Sequence, residues 1–368
     1  MNSFLTSTQY RNWIKTKEEL QAITKNKIVK INKRINEVNN IIRKENEAKA
    51  LKNKAMNKEN SNDNFQKYIS TKNFFLKIDE ERLLIINYSN KLIKILNSQQ
   101  DLSTSLKSSV LSYFRRFFLK KSILDYNANF LMASAFRLGA KISSMNYTLN
   151  DYKKVFPFIE NSLNKLNEYE FYICHILDYE FYVYNPYQAL LGLIYTLEQK
   201  DFFLTQDKDN YINQDDLKKN CMNTIDKMYL TDIIFLYTYS EMALASIFIQ
   251  CEYKQININN IAEKLELNKI LDYKEFIANQ VQDMKKLLEE IPKYNTKKEE
   301  EEKIKGIEKS IRSFLDTFPQ YKNKLIEERK KINLYFLIIR IRLKKQMEDF
   351  EVDFTPFEME IKAKNQNK

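Results

Sequence analysis

Ser105–Met145, SLKSSVLSYFRRFFLKKSILDYNANFLMASAFRLGAKISSM, is the stretch whose periodicity decides the fold. Leu106, Val110, Tyr113, Phe114 and Phe117 recur at the i, i+4, i+7, i+8 and i+11 positions of a helix that buries one face. After Lys120 and Lys121 the chain turns through Asp125 to Asn129 and enters a second predicted helix, Phe130 to Met145. There Ala133, Ser134, Ala135, Gly139 and Ala140 place five small residues in eight positions. Glycine inside a helix costs about 1 kcal/mol relative to alanine. The chain has only three glycines, so Gly139 is expected where a neighbouring helix rests on the backbone. The expectation is a central helix ringed by others.

Working outward, 368 residues suffice for two domains of ordinary size. Three glycines and five prolines exclude a turn-rich all-β fold and predict an all-α class of long helices with short polar connections. Hydrophobic residues make up 43% of the chain, and 24 Phe with 23 Tyr supply a sizeable core. The formal charge of +11 is concentrated: residues 25–58 hold eleven basic side chains against three acids. The rest is nearly balanced, which argues against recognition of a phosphate backbone by the folded body. Cys174, Cys221 and Cys251 are widely spaced with no CxxC pair, and fit free thiols in a reducing compartment. No apolar run reaches the roughly 18 residues of a membrane span, and Arg340 and Arg342 interrupt Ile332–Leu343. The first residues lack a signal architecture, so the expectation is a soluble intracellular protein.

In chain order, a short helix is expected within residues 1–20, around the single tryptophan, Trp13. Ile28, Ile31, Ile35, Val38 and Ile42 then form an a/d seam on a basic helix, expected to supply charge and little core. Residues 57–66 read as a flexible low-complexity loop. A helix opens at Ile78-Asp79-Glu80-Glu81, with acids in its first turn. An apolar helix runs from about Ser162 to Tyr179, and Pro186 suits the first position of the next. Ser240 to Phe248 is again a helix with small residues at its centre, and Ala243 lies 110 positions after Ala133. This reads as an internal repeat of about 100 residues, each copy a small bundle. The last helix of the second copy is expected over Tyr273–Ile291, ended by Pro292, and Ile332–Leu343 should dock back on the body.

Catalytic patterns are missing. His175 is the only histidine and sits in an apolar helix, which with the lack of a CxxC excludes His- or Cys-type metal centres. Phosphate-binding loops of the GxxxxGK[ST] or GxGxxG type and a His-Arg-Asp catalytic loop do not occur. Carboxylate pairs such as Glu80 with Glu81 or Glu289 with Glu290 read as solvated faces. The expectation is a protein that is not an enzyme and uses no metal or cofactor.

Several stretches resemble the cyclins. Tyr113-Phe114-Arg115-Arg116-Phe117-Phe118-Leu119-Lys120-Lys121-Ser122-Ile123-Leu124-Asp125-Tyr126 is similar to the second helix and turn of the first cyclin box in transcription-associated members. Leu138-Gly139-Ala140-Lys141-Ile142 resembles the end of the third helix of that box. Tyr169-Glu170 through Val183-Tyr184-Asn185-Pro186-Tyr187 resembles the fifth helix and the entry to the second box in the H and C types. Leu230-Thr231-Asp232 through Tyr237-Thr238-Tyr239-Ser240-Glu241-Met242-Ala243-Leu244, Ser7–Trp13, and the long tail favour the H type. The resemblance covers about residues 7–20 and 75–345.

The resemblance implies two tandem five-helix cyclin boxes with extra helices at both ends. By it, residues 1–74 are an N-terminal helix and basic segment, 75–185 the first box, 186–292 the second and 293–368 a helical tail. It implies a non-catalytic subunit that binds and activates a cyclin-dependent kinase of the CDK-activating, TFIIH type, acting on kinase activation loops and the tail of RNA polymerase II. A RING-finger assembly factor and TFIIH are the further partners, the nucleus the location with the cytoplasm as a second compartment, and neither nucleic acid nor membrane is a direct partner. The kinase-binding positions that match are Lys141, Ile142, Glu170, Cys174 and Phe181, with Glu170, Cys174 and Phe181 expected along one helix face. There are departures. The Lys-x-x-Glu end of the central helix is here Lys141-Ile142-Ser143-Ser144, Tyr239 replaces a proline, and Arg115 stands where cell-cycle cyclins carry an aspartate. Substrate docking of the cell-cycle type is therefore not expected. The readings weighed against this are a cyclin-fold general transcription factor that binds DNA and a helical scaffold without a kinase partner.

Overall fold

The computed structural model describes residues 4–55, 76–99, 102–145, 147–159, 163–203, 213–269, 272–291 and 297–317, with Tyr321 and Asn323. Among these residues every regular element is helical. The chain divides into two units, Met1–Arg34 with Asn62–Ile311, and Ile35–Ser61 with Arg312–Lys368. Within the second, the buried rings of Phe314 and Tyr321 meet edge to face at 5.3 Å. The predicted loop at 57–66 and the predicted docking segment Ile332–Leu343 lie outside the described residues.

Two short bundles build the first unit. Helix α1 (Thr8–Trp13) and α2 (Lys17–Ala55) precede α3 (Ile78–Asn97), α4 (Thr104–Lys120), α5 (Ala128–Ile142), α6 (Leu149–Val155) and α7 (Leu163–Ile176). An extended link leads to α8 (Pro186–Gln199), α9 (Gln214–Met228), the single turn α10 (Ile233–Leu236), α11 (Tyr239–Tyr253) and α12 (Ile258–Lys264). Then α13 (Tyr273–Phe276) runs through a π-helical turn, Ile277–Val281, into α14 (Gln282–Glu289), and α15 (Lys297–Thr317) follows. In the first bundle α5 packs on α3, α4 and α7, while in the second α11 packs on α8, α9 and α12. The small-residue helices thus sit at the two centres, as the spacing of Ala133 and Ala243 predicts.

Local chemistry explains where the helices start and stop. Ser103, Asn127, Thr148, Asn185, Asn213 and Thr238 each accept a backbone N–H with a side-chain oxygen at a helix N-terminus. With so few glycines, the left-handed residues at helix C-termini carry side chains: Ser144, Asp201, Gln255 and Glu266 have φ of 54 to 56°. After α5, the Met145 N–H bonds the Ala140 carbonyl and Ser144 the Lys141 carbonyl; after α11, Ile256 bonds Cys251 and Gln255 bonds Glu252. These are the same Schellman closures, 111 positions apart, so the repeat extends to the way its central helix ends.

Three expectations are corrected. The helix at 104–120 does not bury one face only: Ser108, Ser112, Arg115 and Arg116 are buried with its apolar residues, so α4 is as enclosed as α5. Glu81 is no solvated carboxylate. It is 1% exposed, pairs with Lys27 at 2.9 Å, and accepts the Ile123 N–H. Residues 25–34 consequently belong to the body and supply more than charge, since Ile28 and Ile31 are buried and Arg34 pairs with Asp125 at 3.0 Å. Periodicity could rank Ile28 and Ile31 as a seam but could not say what covers it. In the same way, α15 is tied down by Ile304 and Ile307, which are buried, and by the Tyr88 hydroxyl, which donates to Glu308 at 2.7 Å.

The glycines give a paired prediction. A Cβ on Gly139 would stand 2.9 Å from Leu106 Cδ1 and 3.0 Å from Val110 Cγ2, whereas one on Gly192 in α8 would meet nothing within 4 Å. Gly139→Val should therefore lower unfolding free energy by about 2 kcal/mol through overpacking. Gly192→Ala should raise it by about 1 kcal/mol through helix propensity. Denaturant midpoints of the two variants test this, and shifts of the same sign would contradict the close approach of α4 to α5.

A lysine–glutamate pair between two core helices

The last turn of α5 and the middle of α7 meet at the surface. Arg137 and Lys141, four apart on α5, face Asn167 and Glu170, three apart on α7, as helix periodicity dictates for neighbouring side chains. Lys141 Nζ lies 2.5 Å from Glu170 Oε1, and Arg137 Nε lies 3.5 Å from Glu170 Oε2. The Arg137 guanidinium also donates to the Asn167 amide oxygen. Glu170 is 15% exposed and Lys141 51%, so the carboxylate is sheltered and the ammonium is half in water. Oε2 is buried and makes no hydrogen bond of its own. Such a carboxylate retains acceptor capacity for a donor brought by another molecule. Ser144 and Met145 turn the chain away directly behind Lys141, which leaves Ile142 41% exposed.

One turn beyond Glu170 on α7 stands Cys174, half-buried. Burial first, and then the Glu170 carboxylate, push its thiol up to about 11 against the opposing charge of Lys141. At neutral pH it is a protonated, apolar contact and not a nucleophile. His175 follows, its pKa lowered chiefly by burial and by the charge of Lys121.

Phe181 does not lie on the helix face predicted for it. Helix α7 ends at Ile176, where Asp178 and Tyr179 adopt φ of 52 and 60° and return N–H bonds to His175 and Cys174. Counting eleven positions from Glu170 assumed an unbroken helix, and the sequence offers no glycine to mark the break. The link nonetheless holds Phe181 firmly: its carbonyl accepts the Tyr113 hydroxyl at 2.5 Å, and its ring lies edge-on to Tyr113 at 6.3 Å and Tyr179 at 6.0 Å. Tyr179 and Tyr182 are 51% and 70% exposed. Lys141 and Glu170 are joined directly, Ile142 and Cys174 flank them on the same two helices, and Phe181 reaches the neighbourhood through the link. Arg137 escaped the sequence reading although its place one turn before Lys141 on an identified helix was the available signal.

The arrangement presents a fixed ammonium, a sheltered carboxylate and apolar side chains, which suits binding of main-chain groups and not bond-making. Among the described residues there is no group of three or more His, Cys, Asp or Glu able to hold a metal. No described helix is long and apolar enough to cross a membrane.

A family model described as the cyclin C-terminal domain matches residues 185–289. The cyclin mcs2 of Schizosaccharomyces pombe is 26% identical over 247 residues, 67% of this chain and 69% of that protein. The cyclin CCL1 of Saccharomyces cerevisiae is 25% identical over 247 residues, 67% of this chain and 57% of that one. Cyclin-H of Xenopus laevis is 23% identical over 62% of this chain and 69% of its own length. The chain therefore spans little more than half to about two thirds of these relatives. Among solved structures, a chain of the CAK complex of Chaetomium thermophilum bound to ATP-gamma-S superposes with a TM-score of 0.63 at 19% identity, over 85% of this chain and 88% of that one. A chain of the yeast TFIIK complex superposes with a TM-score of 0.53 at 18% identity, over 77% and 99%. Residues 185–289 are thus similar to the cyclin C-terminal domain, and the two helical bundles, each wound around a small-residue helix, share the fold of these solved chains.

Proposed function

We propose that this chain is a non-catalytic regulatory cyclin that binds and activates a cyclin-dependent kinase of the CDK-activating, TFIIH type. Its boxes are residues 75–185 and 186–292, and Lys141, Ile142, Glu170, Cys174 and Phe181 form the surface that meets the kinase. The observation that carries this reading is the direct Lys141–Glu170 pair between the last turn of α5 and the middle of α7, at the positions the resemblance selects. The relatives and the CAK and TFIIK assemblies support the kinase class. In this reading the substrates are kinase activation loops and the tail of RNA polymerase II, a RING-finger factor and TFIIH complete the assembly, and the protein works in the nucleus.

The physical mechanism is selective binding. Such a surface activates by holding the active arrangement of the kinase better than the inactive one, and needs no contact with ATP. In the free chain the lysine stands half in water and Arg137 stays beside the carboxylate, so loss of the pair changes stability little. When a partner covers it, removing one member leaves the other buried and unpaired. Lys141→Ala and Glu170→Ala should therefore each weaken kinase binding at least tenfold, about 1.4 kcal/mol, with helix content and melting little changed. Calorimetric or surface-binding titration with the purified kinase measures this, and wild-type affinity in both variants would refute the assignment.

Cys174 provides an independent reading of the same surface. Because its thiol is raised to about 11, the thiolate fraction at neutral pH falls, and alkylation by iodoacetamide should run at least tenfold slower than for a free cysteine. The rate should climb with pH towards that value, and bound kinase should protect the residue further. Mass spectrometry of labelled peptides would show rapid alkylation, unaffected by the kinase, if Cys174 lay elsewhere.

A further inference from the structure

A second concave surface shares no residue with the Lys141–Glu170 site. It is a groove of about 660 Å3 between the start of α2, the first turns of α3, the end of α4 and α14. Leu20, Ile78, Phe118, Leu119, Phe235 and Leu287 give it an apolar floor. Around them the charges are unequal. Four bases are matched to the four acids that line it: Lys17 to Asp283 at 2.6 Å, Lys27 to Glu81 at 2.9 Å, Arg82 to Glu290 at 2.8 Å and Arg115 to Asp232 at 3.0 Å. Lys25 and Lys286 also line it, are exposed, and make no ion pair among the described residues. The groove therefore offers apolar burial together with an excess of two positive charges on its rim.

We propose that this groove is a docking site for a polypeptide segment of a partner protein that interleaves aromatic or aliphatic residues with acidic ones. Apolar side chains of such a segment fill the floor, and its carboxylates meet Lys25 and Lys286. Grooves of this size bury a large part of what enters them, and charge complementarity at the rim selects orientation and partner. A basic segment is disfavoured by the same two lysines, and a purely apolar one leaves their charge unused.

A probe of the required chemistry is a synthetic peptide with the sequence MEDFEVDFTPFEMEI, which alternates apolar and acidic residues and occurs at residues 347–361 of this chain. It should bind the full-length chain in a fluorescence anisotropy titration. Lys25→Glu combined with Lys286→Glu should weaken binding at least tenfold; both residues are exposed, so the fold is kept, and circular dichroism verifies it. The same peptide with its acids replaced by Gln and Asn should lose affinity similarly. Binding that persists undiminished in the double variant or in the neutral peptide would overturn the proposal, as would absence of binding to the wild-type chain, the result expected if the chain's own residues or a small molecule occupy the groove. Because Lys141 and Glu170 take no part, Lys141→Ala should leave peptide binding unchanged, which separates this test from that of the kinase surface.

Discussion

The carboxylate of Asp226 holds the two bundles in one geometry. Lys107 Nζ lies 2.6 Å from it, the Tyr187 hydroxyl donates to it at 2.6 Å and the Asn97 amide at 3.0 Å. These partners come from α4, the start of α8 and the end of α3, so one residue of α9 gathers three elements. The Tyr187 hydroxyl is raised well above its ordinary pKa by burial and by this charge, which favours the protonated, donating form. Along α4 the same face continues with Ser108 against the Tyr229 hydroxyl and Arg115 on the Thr231 carbonyl and Asp232. A buried ion that loses its partner costs several kcal/mol, so these contacts act less as a gain in stability than as a penalty on every other arrangement of the bundles.

From that constraint the placement of the Lys141–Glu170 pair follows by packing. With one face of α4 committed to the second bundle, Leu106 and Val110 are left to press on α5, and only the bare backbone at Gly139 admits them. This sets the axial position of α5, and with it Lys141 one half-turn later. Tyr113, on the same helix, holds the Phe181 carbonyl and so fixes the link after α7. The N-terminal helix completes the brace. Trp13 is buried with Arg116 and Lys120 over its ring at 5.0 and 4.6 Å, Gln9 accepts the Tyr184 N–H, and the Lys15 N–H bonds the Phe235 carbonyl. The N-terminal segment through Lys15 thus touches α4, the link between the bundles and α10.

What could be read from the residues alone follows the physics of each signal. Helical class, the two small-residue centres at Ala133 and Ala243, and the close approach at Gly139 were legible because periodicity and side-chain size are written locally. Burial of Glu81, Arg115 and Arg116 was not, since a charged residue discloses its partner only when distant segments meet, here Lys27, Asp232 and the ring of Trp13. The end of α7 was misplaced for a different reason. Asp178 and Tyr179 take up the left-handed backbone that glycine usually supplies, at a cost of roughly 1 to 2 kcal/mol per residue, and no sequence pattern announces a strain that the Schellman bonds and the Tyr113 anchor offset. Lys141 and Glu170 were found through resemblance. Arg137, which shares the carboxylate, needed only attention to the preceding turn.

The state of the pair before any partner arrives bears on how it can act. Glu170 is held between two cations and sheltered, while half of Lys141 remains in water with its hydrogen-bonding capacity only partly used. A partner that covers this surface meets side chains already oriented, so little rotamer entropy is lost on association. What it must supply is donors for the idle Oε2 and acceptors for the remaining ammonium protons, groups that exposed main chain at a helix end or loop carries in fixed geometry. A surface of this kind therefore discriminates by backbone arrangement more than by side-chain identity, and a partner segment that moves between two arrangements is bound well in only one of them. The orientation of these side chains before association originates in the buried polar face of α4, which sets the position of α5 and with it that of Lys141.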